Sequence, residues 1–332
     1  LENSIIIDAM GGDYAPIEVL KGAYDAFLKF NANITLVGIK EKIENAAKEA
    51  SIDLNSFKIV ECSQEVLMSD HPSDILKNKK DSSIYVGTNL LAQNPNSAFV
   101  SAGNTGAVMA CSLFNVKRLE GVLRPAIALV VPLGDKPIVL IDAGANADCK
   151  PQYLKQFAIM GKVYYENILN IENPKVGLIN VGSEETKGNE LSIETYTLLK
   201  DFKGINFVGN IEGRDLFNGA ADVIVCDGFT GNILLKSMEG LAELFFKEIK
   251  QILTKNFSSK VCAMILKKSL KNMKKKFDYE EYGGTFLIGV NGIVIIAHGS
   301  SKSKAIMNAI RVAIEGQKSN IVEKIAKQIN NL

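Results

Sequence analysis

Six loops in this chain of 332 residues share one chemical character. After the apolar run SIIID comes AMGGDYAP; after FVS, AGNTGA; after VLID, AGANADCKP; after GLIN, VGSEETKGNE; after VIVCD, GFTGN; and after IIA, HGSSKS. Each loop is rich in Gly, Asn, Ser or Thr and leads into a stretch with helical spacing of apolar residues. Glycine lets the backbone approach a ligand closely, and the unpaired N–H groups at the start of a helix attract anions. One such turn is commonly just a tight turn, but six in one chain point to a ligand with anionic oxygens. Gly103, Asn104, Thr105 and Gly106 therefore read as a phosphate cradle, with Ser300 and Ser301 as further donors or caps. Standard nucleotide fingerprints are absent: no GxGxxG follows a strand and no GxxxxGK[ST] occurs.

Orthophosphate needs a cation as well as N–H and hydroxyl donors. Lys187, in SEETKGNE just before a predicted helix, is the first candidate for that cation; a solvated loop lysine is the plainer alternative. Asn232, in GFTGN, carries an amide at a helix start that suits either a donor to substrate oxygen or a helix cap. His298 suits a proton shuttle or a group that polarises phosphate, and equally a satisfied buried histidine. His71, before a proline and a predicted helix cap at Ser73, reads as an ordinary loop residue. Asp8, Asp142 and Asp227 each end an apolar run; carboxylates repel an anion, so they read as groups that order loops or hold Lys187. No GxSxG elbow and no polar-loop Cys with a neighbouring His is evident, and no metal-ligand spacing appears.

The elements that must position these loops are short β-branched runs alternating with longer amphipathic stretches. Runs apolar throughout indicate strands covered on both faces, so the expected fold is α/β, an α/β/α sandwich with a mainly parallel sheet. One exception is AIALVVPLGDKPIVLID, where turn residues between two runs predict an antiparallel hairpin. Without repeats or linker-like tracts, residues 1–332 read as one catalytic unit. Residues 241–282 depart from the alternation: two helical patterns meet near Asn256-Phe257-Ser258-Ser259, as in a protruding helical hairpin.

Composition narrows the classes further. With 47% hydrophobic residues the chain can bury a sizeable core, and 38 Lys plus Arg against 37 Asp plus Glu leaves a net charge of +1, which gives no support to nucleic-acid binding. The five cysteines lack CxxC spacing and mostly lie in apolar runs, as reduced thiols of a cytoplasmic protein do. No signal-like segment and no uncharged apolar run of the ~18 residues a spanning helix needs is present, so neither secretion nor membrane integration is expected. Charge is nevertheless concentrated locally. Between Lys247 and Phe277 many lysines, Lys260, Lys267 and Lys268 among them, are opposed only by Glu248, while Phe257 and Val261 supply apolar contacts. That pattern suits an anionic lipid surface or an acidic protein partner.

The segments DAMGGDYAP, SAGNTGAV, RPAIALVVP, IDAGAN, NVGSEETKGN, DGFTGNILLK and YGGTFLIGVNG with AHGSS, in one order from about Ile5 to Ile310, resemble the PlsX-type phosphate acyltransferases of bacterial phospholipid synthesis. The resemblance implies that inorganic phosphate attacks the thioester of a fatty acyl group on acyl carrier protein, giving acyl phosphate without a cofactor. It also implies a homodimer, peripheral attachment to the inner face of the cell membrane, and a fold related to isocitrate and isopropylmalate dehydrogenases and phosphotransacetylases. A decarboxylating dehydrogenase would need clustered arginines, whereas Arg118, Arg124, Arg214 and Arg311 are widely separated. A phosphotransacetylase-like enzyme using acyl-coenzyme A and a non-catalytic membrane-surface scaffold are the remaining alternatives.

Overall fold

A computed structural model describes residues 3–132, 136–276, 281 and 283–332. Its strands are β1 (Ile5–Asp8), β2 (Ile34–Gly38), β3 (Lys58–Glu61), β4 (Ala98–Ser101), β5 (Ala126–Val131), β6 (Ile138–Ile141), β7 (Lys175–Ile179), β8 (Asn206–Ile211), β9 (Val223–Val225), β10 (Thr285–Ile288) and β11 (Ile293–Ile296). The helices are α1 (Ile17–Phe30), α2 (Lys40–Ala50), α3 (Pro72–Asn78), α4 (Ser83–Gln93), α5 (Thr105–Cys111), α6 (Pro151–Ile168), α7 (Glu190–Lys200), α8 (Gly228–Thr254), α9 (Phe257–Lys276), α10 (Ser303–Ser319) and α11 (Ile321–Asn330).

The strands form one mixed, mainly parallel sheet in the order β3-β2-β1-β4-β11-β10-β5-β6-β9-β7-β8. Every residue of β1, β2, β4 and β6 is buried, as their uninterrupted apolar runs require. Edge strand β3 instead exposes Lys58 and Glu61, charges that discourage pairing with another chain. The antiparallel hairpin is present as β5 against β6, although residues 133–135 of its turn lie outside the described residues. Strand β10, which runs antiparallel to both β11 and β5, was not marked as a strand by any run in the sequence, although it lies inside the YGGTFLIGVNG segment.

These antiparallel pairings divide the sheet. Strands β3, β2, β1, β4 and β11 run one way; β6, β9, β7 and β8 run the other. The loops after β1, β4 and β11 thus leave one edge of the sheet, and those after β6, β7 and β9 leave the opposite edge.

Small residues set how closely the helices lie. A Cβ on Gly161 of α6 would come within 2.6 Å of Val223 Cγ1 on β9. On α1 the buried stripe of Val19, Leu20, Ala23 and Ala26 faces the core, and Gly22 lets α10 approach until Ser303 O lies 2.5 Å from where its Cβ would stand. Below that contact Ser303 N donates to Glu18 Oε2 at 3.0 Å.

Candidate active site

The first cluster is built on three interlocked loops. Asp8, fully buried at the end of β1, accepts from Met10 N at 3.1 Å and from the Ser101 hydroxyl at 2.6 Å. Ser101 Oγ in turn accepts from Gly103 N at 3.0 Å, so one hydroxyl couples the first loop to the cradle. Burial pushes the Asp8 carboxyl up, opposed by these donors. Asp13 N donates to Gly299 O at 2.8 Å, tying the first loop to the one after β11.

Asn104 has its side chain engaged. Its Oδ1 caps α5 by accepting from Ala107 N at 3.0 Å, and its Nδ2 donates to the carbonyls of Met68 and Asp70, both at 3.0 Å. The donors left to the cradle are therefore the backbone amides of Thr105 and Gly106 in the first turn and the Thr105 hydroxyl. Asn104 also pins a strap, residues 67–70, whose Asp70 carboxylate accepts from Leu67 N at 2.7 Å and pairs with Lys79 at 2.5 Å. Lys79, then the Leu67 N–H, hold the Asp70 carboxyl below its ordinary range. Met68 of the strap reaches Gly299, with its Cε 3.1 Å from where a Cβ would stand.

His298 is exposed at the end of β11, and its Nδ1 lies 2.8 Å from Ser300 Oγ and accepts from Ser300 N at 3.2 Å. Ser301 is buried behind it, its N donating to His298 O at 2.9 Å. His71 makes the same motif with Ser73, so the cap of α3 is His71 and not Ser73.

The second cluster lies at the opposite edge. Asp142, with no exposed surface, accepts from Ile127 N, Gly144 N and Ala145 N through Oδ1, and from Asn146 N and Nδ2 through Oδ2, all between 2.8 and 3.1 Å. Burial pushes this carboxyl up as well, and the surrounding N–H donors pull it back. The loop it orders receives α8: Gly228 N donates to Asn146 O at 2.7 Å. Asp227 caps that helix, accepting from Thr230 N and Oγ1 at 2.8 Å each. Asn232 is thus not the cap. It stands one turn further on, exposed, with its Oδ1 and Cβ 3.6 Å from where a Gly144 Cβ would be.

Lys187 follows β7 in a loop braced by two buried-side amides: Asn180 Nδ2 donates to Lys187 O and Asn210 Nδ2 to Glu184 O, both at 2.9 Å. Its ammonium is exposed and has no carboxylate partner among the described residues, because nearby Glu185 is occupied by Lys200 at 2.8 Å and by Tyr196.

A family model described as "Fatty acid synthesis protein" matches residues 4–324. The chain belongs to that family. Proteins named "Phosphate acyltransferase" from Dictyoglomus turgidum and Thermoanaerobacterium thermosaccharolyticum are 47% identical over 329 residues (99% of this chain, 98% of theirs) and 48% identical over 325 residues (98% and 96%). Among solved structures, the EutD phosphotransacetylase from Staphylococcus aureus matches with a TM-score of 0.61 at 15% identity, covering 95% of this chain and 94% of that one. A 4-hydroxythreonine-4-phosphate dehydrogenase from Klebsiella pneumoniae matches at 0.54 and 12%, covering 96% and 100%. At such identities the likeness is one of fold.

In this member of the fatty acid synthesis protein family the buried and half-buried thiols are poor nucleophiles. Cys149, beside the second cluster with Sγ 3.6 Å from Asn146 O, is pushed up to about 12 by burial and then by Asp142 and Asp227. Burial pushes Cys62 and Cys111 up to about 12 as well. No group of three His, Cys, Asp or Glu side chains among the described residues is placed to hold a metal ion. Ser101, Asn146, Asn180 and Asn210 escaped the sequence reading; of these only Asn146 lay in a loop already marked by composition.

Proposed function

We propose that this chain transfers an acyl group from a thioester to inorganic phosphate, making acyl phosphate for phospholipid synthesis, with acyl carrier protein as the donor. Full-length kinship to proteins named phosphate acyltransferase carries the reading, and the chemistry of the two clusters agrees with it. Hydrogen phosphate sits on the amides of Thr105 and Gly106 with His298, Ser300 and Ser301 around it. Its oxygen attacks the thioester carbon, a C–O bond forms, and the negative charge that gathers on the carbonyl oxygen is met by the Asn232 amide and the Lys187 ammonium. The C–S bond then breaks, and the departing thiolate takes the phosphate proton. No residue is acylated, which suits a site whose thiols are held protonated.

The two clusters must meet for this to work. With about 20–25° of twist per strand pair, the six steps from β1 to β9 turn the strands by more than a right angle, which swings loops of opposed edges towards one cleft. Helices α8 and α9, separated by only Lys255 and Asn256, form in this reading a protruding hairpin. Its base serves a homodimer contact, and its tip, where Phe257, Lys260, Val261, Lys267 and Lys268 are all exposed, meets an anionic membrane surface or the acidic carrier. Among the described residues no helix is long and apolar enough to cross a membrane.

The likeness to a phosphotransacetylase supports coenzyme A thioesters as a second donor class. Incubating the purified protein with phosphate and either acyl carrier protein or coenzyme A thioesters, and measuring acyl phosphate, tests both. The carrier thioester is expected to be the better substrate; no acyl phosphate from either would end the reading and leave a membrane-surface scaffold.

A further inference from the structure

Beside the second cluster lies an apolar hollow of about 270 Å³, walled by Phe229, Ile233, Leu234 and Ser237 of α8 with Ile179 and Gly213. Phe229 and Ile233, one turn apart on the helix, stay 63% and 51% exposed. Val181, just past Ile179, is 81% exposed and extends the apolar surface outward. No charged side chain lines the hollow, and of the two hydroxyls that line it, those of Thr230 and Ser237, the first is turned to Asp227 at 2.8 Å. Apolar surface left in water directly beside a polar site marks where an apolar part of a ligand goes.

We infer that this hollow holds the first part of the acyl chain of the donor, and thereby sets chain-length preference. The inference rests on the reading of the chain as an acyltransferase. Its support is continuity: Asn232 faces Gly144, while the residues on either side along the same helical turn, Phe229 and Ile233, face the hollow. A thioester whose carbonyl meets the Asn232 amide thus has its tail led between α8 and the end of β7. A second copy of the chain is the other occupant, and the mass measurement below separates it from the acyl chain.

Gly213 offers a direct test. A Cβ there meets nothing within 4 Å and its backbone is not left-handed, so Gly213→Phe places a ring in open space without strain. Ile233→Ser, which removes a wall and fills nothing, is the second variant. Specificity constants are measured for butyryl, octanoyl and palmitoyl thioesters with phosphate, with circular dichroism for the fold and light scattering for the mass.

One or a few methylenes of room are worth about 10–200-fold in discrimination, so the palmitoyl-to-butyryl ratio of Gly213→Phe should fall by at least about tenfold, and that of Ile233→Ser should fall less. Folded variants that keep the wild-type ratio overturn the groove alone, and a lowered mass with that ratio unchanged assigns the hollow to contact between copies. A wild type inert toward every donor removes the acyltransferase reading and the groove with it.

Discussion

Lys187 owes its candidacy to how its neighbours are occupied. With its carbonyl held by Asn180 and Glu185 drawn off to Lys200, the loop presents an uncompensated cation to anything bound at the end of β7. Lys187→Ala should lower the rate of acyl phosphate formation by about 10²–10³ while thermal unfolding changes little, because the residue is exposed and its ammonium holds no ion pair among the described residues. A near-wild-type rate would return Lys187 to the solvated surface. Asn232→Ala should behave similarly but less severely. Ser101 belongs to a different class, since its hydroxyl holds Asp8 and Gly103 together. Ser101→Ala leaves a buried carboxylate and a buried N–H short of partners, at a cost of about 1–3 kcal/mol. Steady-state kinetics should show the phosphate KM rising more than the thioester KM; the reverse would detach the cradle from phosphate. The aspartates were legible because each closes an apolar run. Ser101 was not, because its partner Asp8 lies 93 positions away and nothing local marks the pair.

At the level of elements, the loops were easier to find than their arrangement. Apolar runs announce buried strands but do not state direction. The strand TFLI was visible only as part of a motif, and it lies antiparallel to both neighbours; the far half of the sheet is reversed by the antiparallel pairing of β5 with β6, which the turn residues did announce. The start of α8 shows how tightly such a loop is fitted: a Cβ on Gly231 would collide with the backbone carbonyl oxygen of Asp142. Gly231→Ala should therefore destabilise the protein by about 3 kcal/mol or more, measured by urea unfolding, since neither partner is a side chain free to move. The strap over the cradle responds to acid. Lys79 and Leu67 N lower the Asp70 carboxyl, so their contribution is complete above the ordinary value of about 3.9 and is lost as pH falls through the depressed folded value. The pair is partly exposed and contributes below about 1 kcal/mol. The protection factor of the Leu67 amide, its observed exchange rate set against its intrinsic rate, should fall over that acid range, and an Asp70→Asn variant should show the low protection already at neutral pH.

For the molecule as a whole, a net charge of +1 concealed a lysine-rich segment that only position along the chain disclosed. Phe257, 82% exposed at the start of α9, is the most exposed large apolar side chain of that segment among the described residues. If the hairpin tip meets lipid as proposed, a Phe257→Asp, Val261→Asp double variant should lose salt-sensitive binding to anionic vesicles in a flotation assay while keeping the wild-type mass and activity in solution; unaltered flotation would move the lipid contact elsewhere. The packing of α1 against α10 has a consequence of another kind. During synthesis β4 gains its partner β11 only after nearly three hundred residues have emerged, and α1 meets α10 at Gly22 later still. Until then the nascent chain carries the two halves of its sheet with their inner edges open, because β10 and β11 are the last strands made and lie in the middle. Such a chain is bound by its topology to fold late, to expose pairing edges on the ribosome, and to depend on chaperones more than its size alone would demand.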